Sequence, residues 1–273
     1  MSAPADRTIR IRGLSFHYLD WGGAPGKPLV LVHGAAQTAH SFDEVAPDLA
    51  RDHHVLSIDQ RGHGDTDWAT DAAYEREEFV ADLVAFLDAV RWPAAAFVAM
   101  SLGGINSMAL AAAHPDRVSG LVIVDVVPTV ERQGVQAIQR QLAAREFASF
   151  DEAVERAHAF NPRRSLENLR DRLSHSLKPM GDGRWTYKFD PGIIAGEADL
   201  EALWAKLPAI RCPVLLVRGA ESPLLGREGA ERFLATVRGA ELAEVPGAGH
   251  SVMGDNPEGF LGAVRPFLGR HGL

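Results

Sequence analysis

The chain has 273 residues, of which 46% are hydrophobic and 23% charged, and its formal net charge at pH 7 is −8. The length suits one large domain or a core domain with an insertion, and the negative charge argues against nucleic acids and anionic membranes as partners. No apolar run approaches the ~18 residues of a membrane helix, residues 1–13 do not resemble a signal peptide, and a single cysteine cannot form an internal disulfide, so we expect a cytoplasmic protein.

Short runs of β-forming residues alternate with longer helical patterns along the chain. A hairpin is predicted around Gly13. Beyond it, apolar runs predict strands at residues 29–32, 55–58, 97–100, 121–124, 214–217 and 242–245. Continuous apolar strands are buried on both faces, which is typical of a parallel sheet. Helical patterns between them, such as residues 74–90, predict an α/β fold with a mostly parallel sheet flanked by helices.

One stretch interrupts the alternation. Residues 129–205 contain no strong β-forming run, are charged and rich in arginine, and repeat apolar residues at helical spacing. The pattern predicts a helical cap inserted into a core domain made of residues 1–128 and 206–273. A long disordered loop is the alternative for the same stretch.

Residues 99–104, Ala-Met-Ser-Leu-Gly-Gly, carry the strongest functional signal. The apolar run 97–100 stops at Ser101, and the helix-forming run 105–113 follows almost at once. A sharp strand-to-helix turn at a serine exposes its hydroxyl at the edge of the sheet and requires small residues two positions before and after it. Ala99 and Gly103 meet that requirement. We interpret Ser101 as a catalytic nucleophile.

Four motifs, in this order, resemble those of the α/β-hydrolase superfamily, and the resemblance covers nearly the whole chain. They are residues 29–34 (Leu-Val-Leu-Val-His-Gly), 59–64 (Asp-Gln-Arg-Gly-His-Gly), 99–104 and 247–250 (Gly-Ala-Gly-His). The resemblance implies the α/β-hydrolase fold and a serine hydrolase of the esterase or lactonase kind. It also implies that His250 is the general base, and that residues 59–64 form a structural turn beside the site.

The acid of the implied triad has two candidates. In the superfamily the carboxylate usually follows the strand predicted here at 214–217, but this chain has Ser222 or Pro223 at that place. Asp125 ends the preceding strand, from which several branches of the superfamily take their acid, and it is the preferred candidate. Glu221 lies near the usual place and is the alternative.

The remaining site residues are expected around the nucleophile. The backbone N–H groups of Ala35 and Leu102 are predicted to form the oxyanion hole. The predicted lining of the substrate pocket consists of His33, Met100, Trp185 and Tyr187. No cluster of histidine, cysteine and carboxylate residues has metal-ligand spacing, so neither a metal nor a cofactor is expected.

These features predict a carboxylic ester hydrolase that acts on a small-molecule ester or lactone as a monomer or homodimer. Two alternatives use the same Ser/His/Asp set on the same fold: a cofactor-free dioxygenase and a C–C bond hydrolase. A third is a ligand-binding, receptor-like protein that keeps the pocket without turnover.

Overall fold

The structure, a computed structural model, describes residues 3–71, 73–129, 131–195 and 200–273. The strands, in chain order, are β1 (Ala5–Ile11), β2 (Leu14–Gly23), β3 (Pro28–Val32), β4 (His54–Ile58), β5 (Ala95–Met100), β6 (Val118–Val124), β7 (Glu146–Phe147), β8 (Leu177–Pro179), β9 (Trp185–Tyr187), β10 (Val214–Gly219) and β11 (Glu241–Val245). The helices are α1 (Ala46–Leu49), α2 (Arg76–Ala89), α3 (Leu102–Ala113), α4 (Arg132–Ala143), α5 (Phe150–Phe160), α6 (Leu166–Ser176), α7 (Gly192–Ala195), α8 (Glu201–Trp204), α9 (Arg227–Thr236), α10 (Val252–Asp255) and α11 (Pro257–Arg270).

A central eight-stranded sheet has the order β1-β2-β4-β3-β5-β6-β10-β11. The hairpin β1–β2 is antiparallel and joins β4 in the antiparallel sense, whereas all the later pairs are parallel. Met100 pairs with Val124, which in turn pairs with Val217, so the carboxyl ends of β5, β6 and β10 lie level. Ser101 and Asp125 directly follow the first two of these strands, and the register therefore brings both residues to one edge of the sheet.

The sheet is buried on both faces, as the apolar runs predict. In β3, Leu29 and Leu31 face one hydrophobic cluster, while Val30 and Val32 face the other. Helices α2 and α3 contribute to the cluster on the valine side, and α11 contributes to the one on the leucine side. The predicted fold class, a mostly parallel sheet flanked by helices, is confirmed.

The chain between β6 and β10 forms helices α4 to α8 and a small antiparallel sheet of order β7-β9-β8. Helices α5 and α6 begin after Ser149 and Ser165, whose hydroxyls accept from the amides of Glu152 and Asn168. This segment has its own apolar cluster, formed by Leu142, Phe147, Ala153, Val154, Leu169, Leu173, Leu177, Tyr187 and Phe189. The small sheet corrects the expectation of helices alone, because strands of two or three residues are too short to produce a periodic pattern.

The helices are shorter than a helix that spans a lipid bilayer. Among the helices of the described residues, α2 and α11 are the longest, with 14 residues each. In the described parts of the chain, no helix combines the length and the apolar character needed to cross a membrane.

Candidate active site

Ser101 occupies a strained turn between β5 and α3. Its backbone has φ 53° and ψ −119°, a region that non-glycine residues rarely adopt. The Ser101 amide donates to the Val124 carbonyl at 3.2 Å, which ties the turn to β6. A Cβ atom at Gly103 would lie 2.5 Å from the Val32 carbonyl oxygen, so α3 can begin this close to β3 only with glycine there. The small residue required by the sequence pattern therefore has a direct steric cause.

His250 and Asp125 form a hydrogen-bonded pair. His250 Nδ1 lies 2.8 Å from Asp125 Oδ2, and Asp125 is completely buried. Since a carboxylate only accepts, Nδ1 carries the hydrogen and donates it, which leaves Nε2 with the lone pair. This is the tautomer that a general base needs on the nitrogen facing a nucleophile.

Two further groups hold the Asp125 carboxylate. The Gly219 amide donates to Oδ1 at 3.0 Å, and the Ser222 hydroxyl donates to Oδ2. Asp125 itself has a φ of 53°, a left-handed conformation that aspartate tolerates better than most residues. The sequence predicts no role for Ser222, which is noted there only because it lacks a carboxylate. Its position after β10 is the signal that could have indicated it.

Glu221, the alternative acid, has a different partner. Its Oε2 accepts from Arg163 Nε at 2.9 Å, and it lies on the exposed side of the loop after β10. None of the hydrogen bonds found in the described residues joins Glu221 to His250. The geometry thus favours Asp125 as the partner of the histidine.

The two backbone amides proposed for the oxyanion hole lie on either side of the nucleophile. Leu102 begins α3, and the amides of a helix's first turn have no partner within the helix. Ala35 follows β3, whose end approaches the serine so closely that a Cβ at Gly34 would lie 3.0 Å from Ser101 Cβ. Among the hydrogen bonds of the described residues, neither the Leu102 nor the Ala35 amide has an acceptor. Both amides are therefore available to a ligand.

A cavity of about 400 Å³ opens over the serine and extends under helices α4, α5 and α6. Ser101 and His250 both line it, together with Ala35 from the core and Tyr187 from β9. Burial raises the pKa of the Tyr187 phenol, so this side chain faces the cavity as a neutral group. The volume is in the range of ordinary small-molecule pockets.

Three of the predicted pocket residues do not line this cavity. His33 and Met100 are completely buried below it, and Trp185 packs on Phe150 with ring centroids 5.1 Å apart. Only Tyr187 of the predicted set is in the wall, and the predicted pocket is corrected accordingly. Adjacent positions of a strand face opposite sides of the sheet, so residues flanking the nucleophile in sequence need not flank it in space.

The turn at residues 59–64 supports the site from below. Asp59 is buried and accepts from His17 Nδ1 at 2.7 Å and from the Ala39 amide at 2.6 Å. His63 is also buried, and it packs against His33 with ring centroids 4.9 Å apart. Burial, followed by the neighbouring His33, lowers the pKa of His63 to about 3. These contacts agree with the structural role expected for this turn.

Within the described residues, two groups of side chains bring three potential metal-ligand atoms within 4.8 Å of one another. They are His40, Asp43 and His175, and His17, Asp59 and Asp65. The His40 and His175 rings stack with centroids 3.5 Å apart and planes at 13°, so their in-plane lone pairs do not converge on one point. In the second group, His17 and Asp59 are hydrogen-bonded to each other. In each group, a histidine Nδ1 is thus within hydrogen-bond distance of a carboxylate of the same group.

Comparison with known proteins identifies the family. The family model described as the alpha/beta hydrolase fold matches residues 27–257. This chain therefore belongs to the α/β-hydrolase family, and it is an α/β-hydrolase enzyme, as the four sequence motifs imply.

Several relatives are similar over nearly their whole length. The esterase Rv0045c of Mycobacterium tuberculosis is 31% identical, and the alignment covers 98% of this chain and 91% of that protein. The 3-hydroxybutyrate-oligomer hydrolase of Cupriavidus necator is 32% identical, with 92% of each chain covered. The crystal structure of an α/β hydrolase from Novosphingobium aromaticivorans superimposes with a TM-score of 0.84, at 27% identity and with 99% of each chain covered. Esterase activity is thus the activity most consistent with these relatives.

Proposed function

We propose that this enzyme is a serine hydrolase that cleaves carboxylic esters or lactones through an acyl-enzyme intermediate on Ser101. The observation that carries the proposal is the pairing of His250 with Asp125 at 2.8 Å, in a cavity whose wall also includes Ser101. The relatives named as an esterase and as an oligomer hydrolase support the same chemistry.

The first half of the proposed reaction forms the acyl-enzyme. Ser101 Oγ attacks the substrate carbonyl while His250 Nε2 takes its proton, and Asp125 stabilises the resulting imidazolium. The amides of Ala35 and Leu102 donate to the oxyanion, and each such donor contributes about 3 kcal/mol to the transition state. The intermediate then collapses, the C–O bond to the alcohol breaks, and His250 returns the proton to the departing alcohol.

The second half releases the acid. A water molecule gives a proton to His250 Nε2 and attacks the acyl carbonyl, and the same two amides hold the second oxyanion. Collapse of this intermediate breaks the bond to Ser101 Oγ, which recovers its proton from His250. The carboxylic acid leaves, and the free enzyme is restored.

Residues 129–205 are proposed to act as a cap over this site, with residues 1–128 and 206–273 as the core domain. The support is that α4, α5 and α6 supply much of the cavity wall and have an apolar cluster of their own. The predicted cytoplasmic location and the monomeric or homodimeric state stay predictions.

The test is hydrolysis of neutral esters and lactones of graded size by the wild type and by Ser101→Ala. We expect turnover of at least one short-chain ester or lactone, and a loss of kcat of at least a thousandfold in Ser101→Ala. Ser107→Ala is the matched control, because Ser107 lies on the same helix and its buried hydroxyl has no partner among the described residues. Ligand binding without turnover would contradict the proposal in favour of a receptor-like protein.

A further inference from the structure

One face of helix α6 looks into the cavity and carries an arginine. Leu169, Arg172, Leu173 and Ser176 all line the cavity, and their spacing of three and four residues places them on the same side of the helix. Leu169 and Leu173 belong to the apolar cluster of this segment. Arg172 is therefore a cation on the otherwise uncharged, inward face of an amphipathic helix.

The Arg172 guanidinium has no hydrogen bond or ion pair among the residues that the structure describes. The carboxylates of Glu44 and Asp255 interact with it electrostatically and raise its pKa, but both form hydrogen bonds with other groups. Glu44 accepts from Arg164 at 3.2 Å, and Asp255 accepts from Asn161 at 2.7 Å and from the Gly249 amide at 2.9 Å. The five N–H donors of Arg172 are thus unused by the protein.

The surroundings disfavour a charge at this position unless a ligand compensates for it. Burial, followed by the nearby Arg164, lowers the pKa of Arg172 to about 9, which still leaves it protonated at pH 7. The cavity wall contains three arginines, Arg163, Arg164 and Arg172, and Asp255 is the carboxylate among its described residues. Arg172 is half-buried, and a desolvated cation without a partner is destabilising, so an anionic ligand that pairs with it would relieve that cost.

We propose that Arg172 binds a carboxylate of the substrate, and that the enzyme's substrates are esters or lactones bearing a free carboxylate. This inference rests on the proposed serine hydrolase function and adds to it the class of substrate. The planar guanidinium matches a carboxylate with two parallel hydrogen bonds, which fixes orientation as well as position. The neutral Tyr187 hydroxyl and the apolar residues of α6 line the rest of this wall.

The experiment compares charged and neutral esters of similar chain length. One pair places the carboxylate in the acyl part: 4-nitrophenyl hydrogen glutarate against 4-nitrophenyl valerate. A second pair places it in the alcohol part: 4-(butanoyloxy)butanoate against pentyl butyrate. Hydrolysis of this pair is monitored by titration of the released acid. For at least one pair, we expect the wild type to have the higher kcat/KM on the charged ester.

Arg172→Gln should lower kcat/KM for that charged ester by about ten- to a hundredfold, chiefly through KM, and should change the neutral ester by less than about threefold. Arg172→Lys should retain part of the preference. Arg170→Gln is the matched control, because Arg170 lies on the same helix but pairs with Asp151 in solvent at 2.6 Å.

Three results would overturn the inference while leaving the serine hydrolase proposal intact. They are no preference for the charged ester in either pair, equal losses on charged and neutral esters in Arg172→Gln, and a preference unchanged in that variant. Failure of the wild type to hydrolyse any ester or lactone, neutral or charged, would instead contradict the proposed function itself.

Discussion

The Ser222 hydroxyl donates a hydrogen bond of 2.5 Å to Asp125 Oδ2, the same oxygen that accepts from His250 Nδ1. Ser222 lies after β10, where a superfamily member of the commoner kind has its acid. In this chain, that position therefore provides a hydroxyl that binds the carboxylate of Asp125, which follows the neighbouring strand β6. Because Gly219 holds the other carboxylate oxygen, Asp125 can accept from His250 in a single orientation.

Asp125→Asn should lower kcat by about ten-thousandfold with the fold intact. The amide would favour the wrong histidine tautomer, so His250 Nε2 would lose the lone pair that accepts the proton of Ser101. Glu221→Gln is the control, and it should change kcat by less than about twofold, because Glu221 pairs with exposed Arg163. A large loss in Glu221→Gln together with an active Asp125→Asn would reverse the assignment of the acid. Steady-state kinetics and circular dichroism check both variants.

Ser222→Ala should lower kcat by about tenfold and leave KM nearly unchanged, because a hydrogen bond to a charged group typically contributes ~1.5–3 kcal/mol. The Ser222 hydroxyl also accepts from the amides of Leu224 and Leu225, so unfolding free energy should fall by about 1 kcal/mol. Ser222→Thr keeps the hydroxyl and should retain most of the activity. Wild-type kcat in Ser222→Ala would show that the hydroxyl does not assist Asp125.

Acid should destabilise the fold through His63. Its pKa is lowered to about 3 in the folded protein, whereas an unfolded histidine titrates near ~6.5. The unfolded chain therefore binds more protons between these values, and the stability that is present above pH 6.5 is lost as the pH falls towards 3. From pH 7 to pH 5, this one group should cost about 2 kcal/mol of unfolding free energy.

Urea unfolding of the wild type and His63→Gln at the two pH values measures this contribution. The variant should be less stable at pH 7 and should lose less stability on acidification. His114→Gln, at an exposed position, should behave as the wild type. Identical pH dependence in the wild type and His63→Gln would contradict the assignment.

Cys212 should react slowly in the native protein. Burial raises the pKa of its thiol to about 11, so at pH 8 only about one molecule in a thousand carries the reactive thiolate. We expect iodoacetamide to modify the native protein at least about tenfold more slowly than the chain in urea, with a rate that rises about tenfold from pH 8 to pH 9. Equal rates in the native and unfolded states, measured by intact mass, would show an accessible, ordinary thiol.

The sheet could be predicted from the sequence because strands buried on both faces are apolar without interruption. The predicted strand 121–124 is observed as Val118–Val124. The prediction began too late because Ser119 and Gly120 separate the buried Val118 from the apolar run. Strand β11 (Glu241–Val245) lies at the edge of the sheet, and its residues alternate between exposed and partly or fully buried. Its apolar run is therefore less continuous than those of the central strands.

The site could be predicted only where backbone position decides it. The turn at Ser101 and the strand end at Asp125 follow from local patterns and sheet topology. The roles proposed for Ser222 and Arg172 depend on the conformation of a loop and on the rotation of a helix about its axis, and neither can be read from a local sequence pattern. Met100, predicted in the pocket, is instead completely buried in the cluster beneath the sheet edge, because adjacent strand positions face opposite sides of the sheet.

The most direct test of the proposed chemistry is labelling with a fluorophosphonate, read by intact mass, on the wild type, Ser101→Ala and Ser107→Ala. Such a reagent reacts with a serine whose proton is taken by a neighbouring base. We predict one adduct on the wild type and on Ser107→Ala and none on Ser101→Ala. An adduct that persists in Ser101→Ala, or a folded wild type that forms none, would contradict Ser101 as the activated nucleophile.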